Sequence, residues 1–192
     1  MPQRVDDYAI DLERSPELAR RIGIILGLFV QVEHGLVPIL SWVADMPLDQ
    51  ARASMELQKQ NARKVIFLKG VCEGISPGWP RDVEVGKLFA TAANTANRIR
   101  NKYAHATYVS AEASGEERLY VAVFADGLHS ASRVEIATPE ILDEEIRFLK
   151  SLIVAMRNYI EARAATTPVN LDEIHGLVAN APQPVLYAPE SD

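Results

Sequence analysis

The sequence predicts a mainly α fold: a four- to five-helix bundle with a small antiparallel β-meander inserted before the last long helix. Three long segments carry apolar residues at alternating steps of three and four, the spacing that forms one stripe along an α-helix. Between about residues 107 and 137 the pattern changes to apolar-polar alternation interrupted by glycine-containing turns, which is typical of short antiparallel strands. The strands are expected at residues 108–113, 119–125 and 132–137. At 192 residues the chain can bury one core, so we expect a helical bundle over residues 1–165 and a proline-containing C-terminal tail over 166–192.

The first helix is predicted over residues 15–45. Its start is marked by Ser15 as a cap, Pro16 at the first helical position and Glu17 at the positive end of the helix dipole. Its apolar stripe consists of Ile22, Ile25, Phe29, Val32, Leu36, Ile39 and Val43. Gly23 and Gly27 are four residues apart and predict the close approach of another helix, within the domain or across a dimer. Because symmetric dimers are the commonest oligomers, we expect a homodimer.

Three further helices complete the predicted bundle. The second is expected over about residues 48–70, which are rich in helix-forming side chains. The third is expected over residues 82–105, with one apolar face formed by Val85, Leu88, Ala92, Ala96, Ile99 and Tyr103. The fourth starts at the cap sequence Thr138-Pro139-Glu140 and ends near residue 165. After residue 166 the prolines and the lack of a long periodic segment predict an extended tail.

Residues 22–44 are long enough to span a bilayer. However, Glu33 and His34 would lie near the centre of that span, where ionisable side chains are costly. We therefore expect a core helix and no membrane association. The single cysteine, Cys72, excludes an internal disulfide, and residues 1–14 lack the basic-then-apolar order of a secretory signal. Both observations favour a cytoplasmic protein.

The charge and the motif content exclude several classes of function. A net charge of -6 and a pI near 5.3 argue against non-specific coating of nucleic acid. Two local groups of basic residues could either contact RNA or form a solvated face. One group is Arg98, Arg100 and Lys102, and the other, along one side of the second helix, is Arg52, Lys59 and Arg63. The sequence has no glycine-rich phosphate loop, paired cysteines or Glu-x-x-His pair, so we expect no cofactor and no metal. Cys72 is interpreted as a small buried hydrophobe, and His34 as a hydrogen-bonded interior or interface histidine.

The third helix carries an unusual polar face. At about 100° per residue, one side opposite the apolar stripe collects Asn94, Asn97, Arg98, Asn101 and His105. Asparagine is a poor helix-interior residue because its amide competes for backbone hydrogen bonds. This face therefore indicates a surface for a ligand or a second subunit, the alternative being a solvated face at a frayed helix end.

Arg100-Asn101, three further residues and His105 resemble the motif of the HEPN superfamily, which is Arg, a polar residue, three to five variable residues and His. The resemblance covers roughly residues 15–165. It implies a bundle of four or five helices that pairs with a second copy, with the motif in the dimer cleft. It also implies metal-independent RNA cleavage, in which His105 is the general base on a ribose 2'-hydroxyl and Arg100 stabilises the phosphorane.

In this scheme Asn101 orients the phosphate or the imidazole. The further candidate RNA contacts are Arg98, Lys102, Asn97 and Asn94. Five helical residues place Arg100 and His105 about 140° apart, so either the helix unwinds before His105 or the site is completed across a two-fold axis. The resemblance thus implies an endoribonuclease of the toxin or defence type. The alternatives are a non-catalytic module that binds RNA, a nucleotide or a protein, as an antitoxin or accessory partner, and a helical dimer unrelated to this superfamily.

Overall fold

The computed structural model describes residues 15–75, 80–104, 107–113, 116–124 and 131–186, with side chains described over 15–75, 82–104 and 135–186. The helices are α1 (Pro16–Val43), α2 (Leu48–Glu56), α3 (Asn61–Gly74), α4 (Pro80–Ala104), α5 (Pro139–Ala164) and α6 (Leu171–Ala179). The strands are β1 (Thr107–Ala113), β2 (Glu116–Phe124) and β3 (Ala131–Ala137). The predicted mainly α class is confirmed. The strands pair antiparallel in the order β1-β2-β3.

The apolar stripe of α1 lies in the core, as predicted. Its seven members are each 5% exposed or less: Ile22, Ile25, Phe29, Val32, Leu36, Ile39 and Val43. The helix passes through Pro38 and ends before Asp45, whose positive φ of 48° leaves the helical region. In the turn after α1, the Ser41 hydroxyl donates to the carbonyl of Met46 at 2.7 Å.

Close contacts occur at different glycines from those that the sequence suggested. A Cβ built at Gly23 or Gly27 meets nothing within 4 Å in the described part of the chain. By contrast, a Cβ at Gly35 would lie 2.7 Å from Sδ of Met156, and one at Gly86 would lie 2.6 Å from Sγ of Cys72. The close approach predicted at Gly23 and Gly27 is therefore not made among the residues that the structure describes.

The predicted second helix is wrong as a single element, because it is divided into α2 and α3. Gln60 adopts an extended conformation between them, with φ -113° and ψ 138°. The buried residues are Ala51 and Met55 in α2, and Val65, Leu68 and Cys72 in α3. In one continuous helix Met55 and Val65 would point about 80° apart. The break lets both helices bury their apolar residues, and packing overrides local propensity.

The tail also differs from the extended segment that was predicted. Residues 171–179 form α6, where Asp172 and Glu173 occupy the first turn and complement the helix dipole. Ile174 is buried and anchors the short helix. Further along, the N–H of Ile136 in β3 donates to the carbonyl of Val185 at 3.0 Å, beside an isolated antiparallel bridge between Glu135 and Leu186.

The chain divides into two compact units. One comprises the described residues within Met1–Leu26, Ile99–Ile146 and Pro182–Asp192, and the other comprises those within Gly27–Arg98 and Arg147–Ala181. Helices α1, α4 and α5 contribute residues to both units. In the second unit the rings of Phe89 and Tyr159 pack edge to face, with centroids 5.7 Å apart.

By length and composition α1 could cross a membrane, with a mean hydropathy of 1.8 over its most apolar 18-residue window. A core helix of a soluble protein passes the same test. One third of the residues in that window are buried within the chain. Glu33 in the middle of the helix forms an ion pair with Lys64 of α3, which is a contact with protein rather than with lipid.

Candidate functional site

The Arg-Asn part of the motif lies in the last turns of α4. The helix begins at Pro80, where proline suits the first turn, and Asp82 complements its positive end. It is helical through Ala104, so Arg100 and Asn101 have helical backbone on both sides. His105 is the next residue after this helix and lies outside the described residues.

Arg100 and Asn101 form a pair at the protein surface. Nη1 of Arg100 donates a hydrogen bond to Oδ1 of Asn101 at 2.9 Å. The side chain of Asn101 is exposed and that of Arg100 is half-buried. The amide oxygen of Asn101 thus orients the guanidinium, a role that the sequence did not predict. Its NH₂ group is a donor suited to a phosphate oxygen.

The other predicted members of the polar face differ in exposure. Asn94 is exposed and Arg98 is half-buried. Asn97 is 7% exposed, which leaves its amide little surface for the predicted RNA contact. The reason is its place on the helix: Asn97 follows the fully buried Ala96, and adjacent helical residues point only about 100° apart. Asn97 therefore lies at the boundary of the core.

Lys102, another predicted RNA contact, is also buried. Lys102 is 4% exposed, and its Nζ lies 3.3 Å from Oε2 of Glu135 and 3.3 Å from Oε1 of Glu145. A buried ammonium group requires charged or hydrogen-bonding partners, and these two carboxylates supply them. Glu135 is in β3 and Glu145 is in α5, so the lysine connects the end of α4 to both elements.

Tyr103 completes this group, which we call the Lys102 cluster: Lys102, Tyr103, Glu135 and Glu145. The hydroxyl of Tyr103 donates to Oε2 of Glu145 at 2.5 Å. Burial raises the pKa of Glu145, and the Lys102 charge and the Tyr103 hydrogen bond oppose that rise. The cluster holds the last turn of α4, directly before His105. It fixes the helix end that carries the motif.

Sequence reasoning missed Glu135 and Glu145. They are 33 and 43 residues after Lys102, so no local periodicity connects them with it. One signal was available: Tyr103 was correctly predicted on the apolar face and is 3% exposed. A buried tyrosine at a helix end usually finds a hydrogen-bond partner, which indicates a polar group nearby.

The remaining candidate residues are placed elsewhere. Cys72 is 1% exposed and burial raises the pKa of its thiol to about 11, so its interpretation as a small buried hydrophobe is confirmed. His34 is exposed rather than interior within this chain. Arg52 belongs to α2 and Arg63 to α3, so the basic row predicted along one helix does not form. Over the described ranges no three His, Cys, Asp or Glu side chains are grouped to hold a metal ion.

Comparison of the chain with protein-family models, with curated proteins and with solved structures gives no match. The resemblance of the motif therefore depends on two observations within this chain. These are the residue pattern of Arg100, Asn101 and His105, and the position of Arg100 and Asn101 in the last turns of a long helix.

Proposed function

We propose that this chain is a HEPN-like, metal-independent endoribonuclease of the toxin or defence type that acts as a cytoplasmic homodimer. The observation that carries the proposal is the hydrogen-bonded pair of Arg100 and Asn101 at the accessible end of α4. The pair presents a guanidinium in a defined orientation, five residues before the histidine that completes the motif.

The chemistry assigned to these residues is transesterification. His105 accepts the proton of a ribose 2'-hydroxyl, and the oxygen attacks the adjacent phosphorus. The bond from phosphorus to the 5'-oxygen breaks, and the leaving oxygen takes up a proton, which gives a cyclic phosphate and a 5'-hydroxyl. Arg100 can bind two non-bridging oxygens at once and stabilise the charge that develops on them.

A homodimer would solve the geometry of the motif. On a straight helix Arg100 and His105 point about 140° apart, so a second copy is one way to complete the site. The side of α1 that carries Gly23 and Gly27 supports this, since neither glycine is covered within the described chain. Val30 on the same helix is 47% exposed. An identical helix could approach closely along this side.

A non-catalytic binding module, such as an antitoxin or accessory partner, is the second candidate. Two of the predicted RNA contacts, Asn97 and Lys102, are buried, and the chain carries a net charge of -6. Fewer exposed cations weaken binding to an RNA backbone. This favours a protein or a nucleotide as the ligand of the motif surface.

The decisive experiment incubates the purified full chain with a mixed RNA pool, with and without EDTA. Cleavage should persist in EDTA and disappear in His105→Ala. The matched control is His175→Ala. The side chain of His175 on α6 is 51% exposed, so this variant should cleave RNA as the wild type does. Cleavage that survives His105→Ala would contradict the assigned base. RNA or protein binding without cleavage, lost on substitution of Arg100, would favour the second candidate.

The dimer is tested by light scattering at micromolar concentration. Gly27→Leu should convert the dimer to a monomer without unfolding the chain, because a Cβ built at Gly27 meets nothing within 4 Å among the described residues. Gly70→Leu on α3 is the control, since Gly70 is equally uncovered. A wild-type chain that is monomeric would exclude a site shared between two copies.

A further inference from the structure

A groove of about 560 Å³ lies among α1, α2 and α3, and its lining includes no residue of the motif. Its apolar lining comes from Val37 and Pro38 of α1 and from Leu48 and Met55 of α2. Its volume is in the range of small-molecule sites, which are usually apolar with a few polar groups. Leu48 is 47% exposed although it is a large apolar residue. A bound apolar group would cover it.

Two of the charges along this groove neutralise each other. Lys64 of α3 forms an ion pair and hydrogen bond with Glu33 of α1, and both side chains are about one-fifth exposed. This pair connects the two helices at one end of the groove. A charged ligand would therefore bind to the other polar groups that line the groove.

Those groups are Arg52 and Glu56 of α2 and His34 of α1. Within the described chain no carboxylate forms a salt bridge with Arg52, even though Glu56 follows one turn later on the same helix. Arg52 and His34 are both exposed. A guanidinium can bind two oxygens of one acidic group, and an imidazole N–H can donate to a third.

The sequence adds a backbone acceptor beside these side chains. Pro38 has no N–H, so it cannot donate the usual helical hydrogen bond to the carbonyl of His34 four residues earlier. Both residues line the groove. The carbonyl of His34 therefore does not receive the helical hydrogen bond from position 38.

We propose that this groove binds a small organic anion: an aromatic or aliphatic body that covers Leu48, with one acidic group held by Arg52 and His34. The groove is lined by residues 33–64 alone, so this inference does not depend on the proposed ribonuclease function. A ligand of this class would connect α1, α2 and α3.

The test uses two fluorescent probes that differ in charge. The first is 8-anilinonaphthalene-1-sulfonate, which has an aromatic body, an N–H and one sulfonate, and the second is the neutral N-phenyl-1-naphthylamine. The sulfonate probe should bind the folded chain, and Arg52→Gln should weaken its affinity at least about tenfold. The affinity of the neutral probe should stay within about twofold, because it has no group for Arg52.

Two further variants define the site. Leu48→Asn should weaken the affinity of both probes, since it removes apolar contact. Arg63→Gln should change the affinity of neither probe. Arg63 is an exposed arginine of α3 outside the groove. Thermal midpoints show that each variant is folded, which is expected for exposed positions. Equal affinity of the sulfonate probe for Arg52→Gln and Arg63→Gln would overturn the proposal, as would an absence of binding to the wild type.

Discussion

The Nζ atom of Lys102 and the Oε1 atom of Glu145 lie 3.3 Å apart, with both side chains less than one-tenth exposed. A second carboxylate, from Glu135, lies at the same distance from the ammonium. Because burial removes the hydration of all three charges, their mutual contacts replace water. The end of α4 is thereby connected to β3 and α5 at a residue between Arg100 and His105 of the motif.

Lys102→Met should destabilise the fold by about 3–5 kcal/mol, because two buried carboxylates would lose their counter-charge. The matched control is Lys69→Met on α3, where an exposed lysine lies 3.8 Å from Glu73. That change should cost less than about 0.5 kcal/mol, as exposed ion pairs contribute little. Urea unfolding of both variants measures the difference. Equal midpoints for the two would contradict the buried role of Lys102.

Glu145 should make stability fall as pH rises. Burial raises the pKa of Glu145 above its ordinary value of 4.5, so the folded chain keeps this proton at a pH where the unfolded chain has lost it. Stability from this group is present below pH 4.5 and is lost as pH rises through the folded pKa. The thermal midpoint of Glu145→Gln, relative to wild type, should therefore increase from pH 4.5 upward.

A carboxylate with the opposite shift provides the control. The side-chain hydrogen bond with Thr138 lowers the pKa of Glu140 in the first turn of α5. The stability that Glu140 contributes is present above pH 4.5 and is lost as pH falls through the pKa of Glu140 in the folded chain. Glu140→Gln should therefore lose stability relative to wild type as pH rises. The same sign of pH dependence in both variants would contradict the assignment for Glu145.

Gly86→Ala should destabilise the second unit by about 1–3 kcal/mol. The added Cβ would lie 2.6 Å from Sγ of Cys72 and 2.9 Å from Cγ2 of Val43, and both neighbours are buried. Gly70→Ala within α3 is the control, because its Cβ meets nothing within 4 Å. It should stabilise the chain by up to about 1 kcal/mol through helix propensity. Thermal unfolding that ranks the two variants the other way would show that the core at Gly86 is loosely packed.

Arg100→Lys should reduce RNA cleavage by about 100-fold or more, although it keeps the charge. An ammonium cannot make the two parallel contacts of a guanidinium with a phosphate, and the geometry of the hydrogen bond to Asn101 would change. Arg98→Lys should reduce cleavage only a few-fold. Initial rates on one RNA substrate measure both. The opposite ranking would mean that Arg98, rather than the motif arginine, contacts the phosphate.

The long helices could be predicted because their signals are local. The stripe of α1 and the cap of α5, where the N–H of Ile141 donates to Oγ1 of Thr138 at 3.4 Å, depend on residues within a few positions of each other. Local periodicity also placed Tyr103 on the buried face of α4. The break between α2 and α3 could not be predicted in this way, since residues 48–70 are rich in helix-forming side chains and only packing separates Met55 from Val65.

The sequence by itself determined the helical class, the positions of α1, α4 and α5, and the motif residues Arg100, Asn101 and His105. Tertiary structure decided which polar residues of α4 are accessible. Lys102 is buried because Glu135 of β3 and Glu145 of α5 contact its ammonium group. Asn97 is buried because it lies at the edge of the core. Helix periodicity assigns a face to each residue, but the charge that a neighbouring element brings to that face comes from distant parts of the chain.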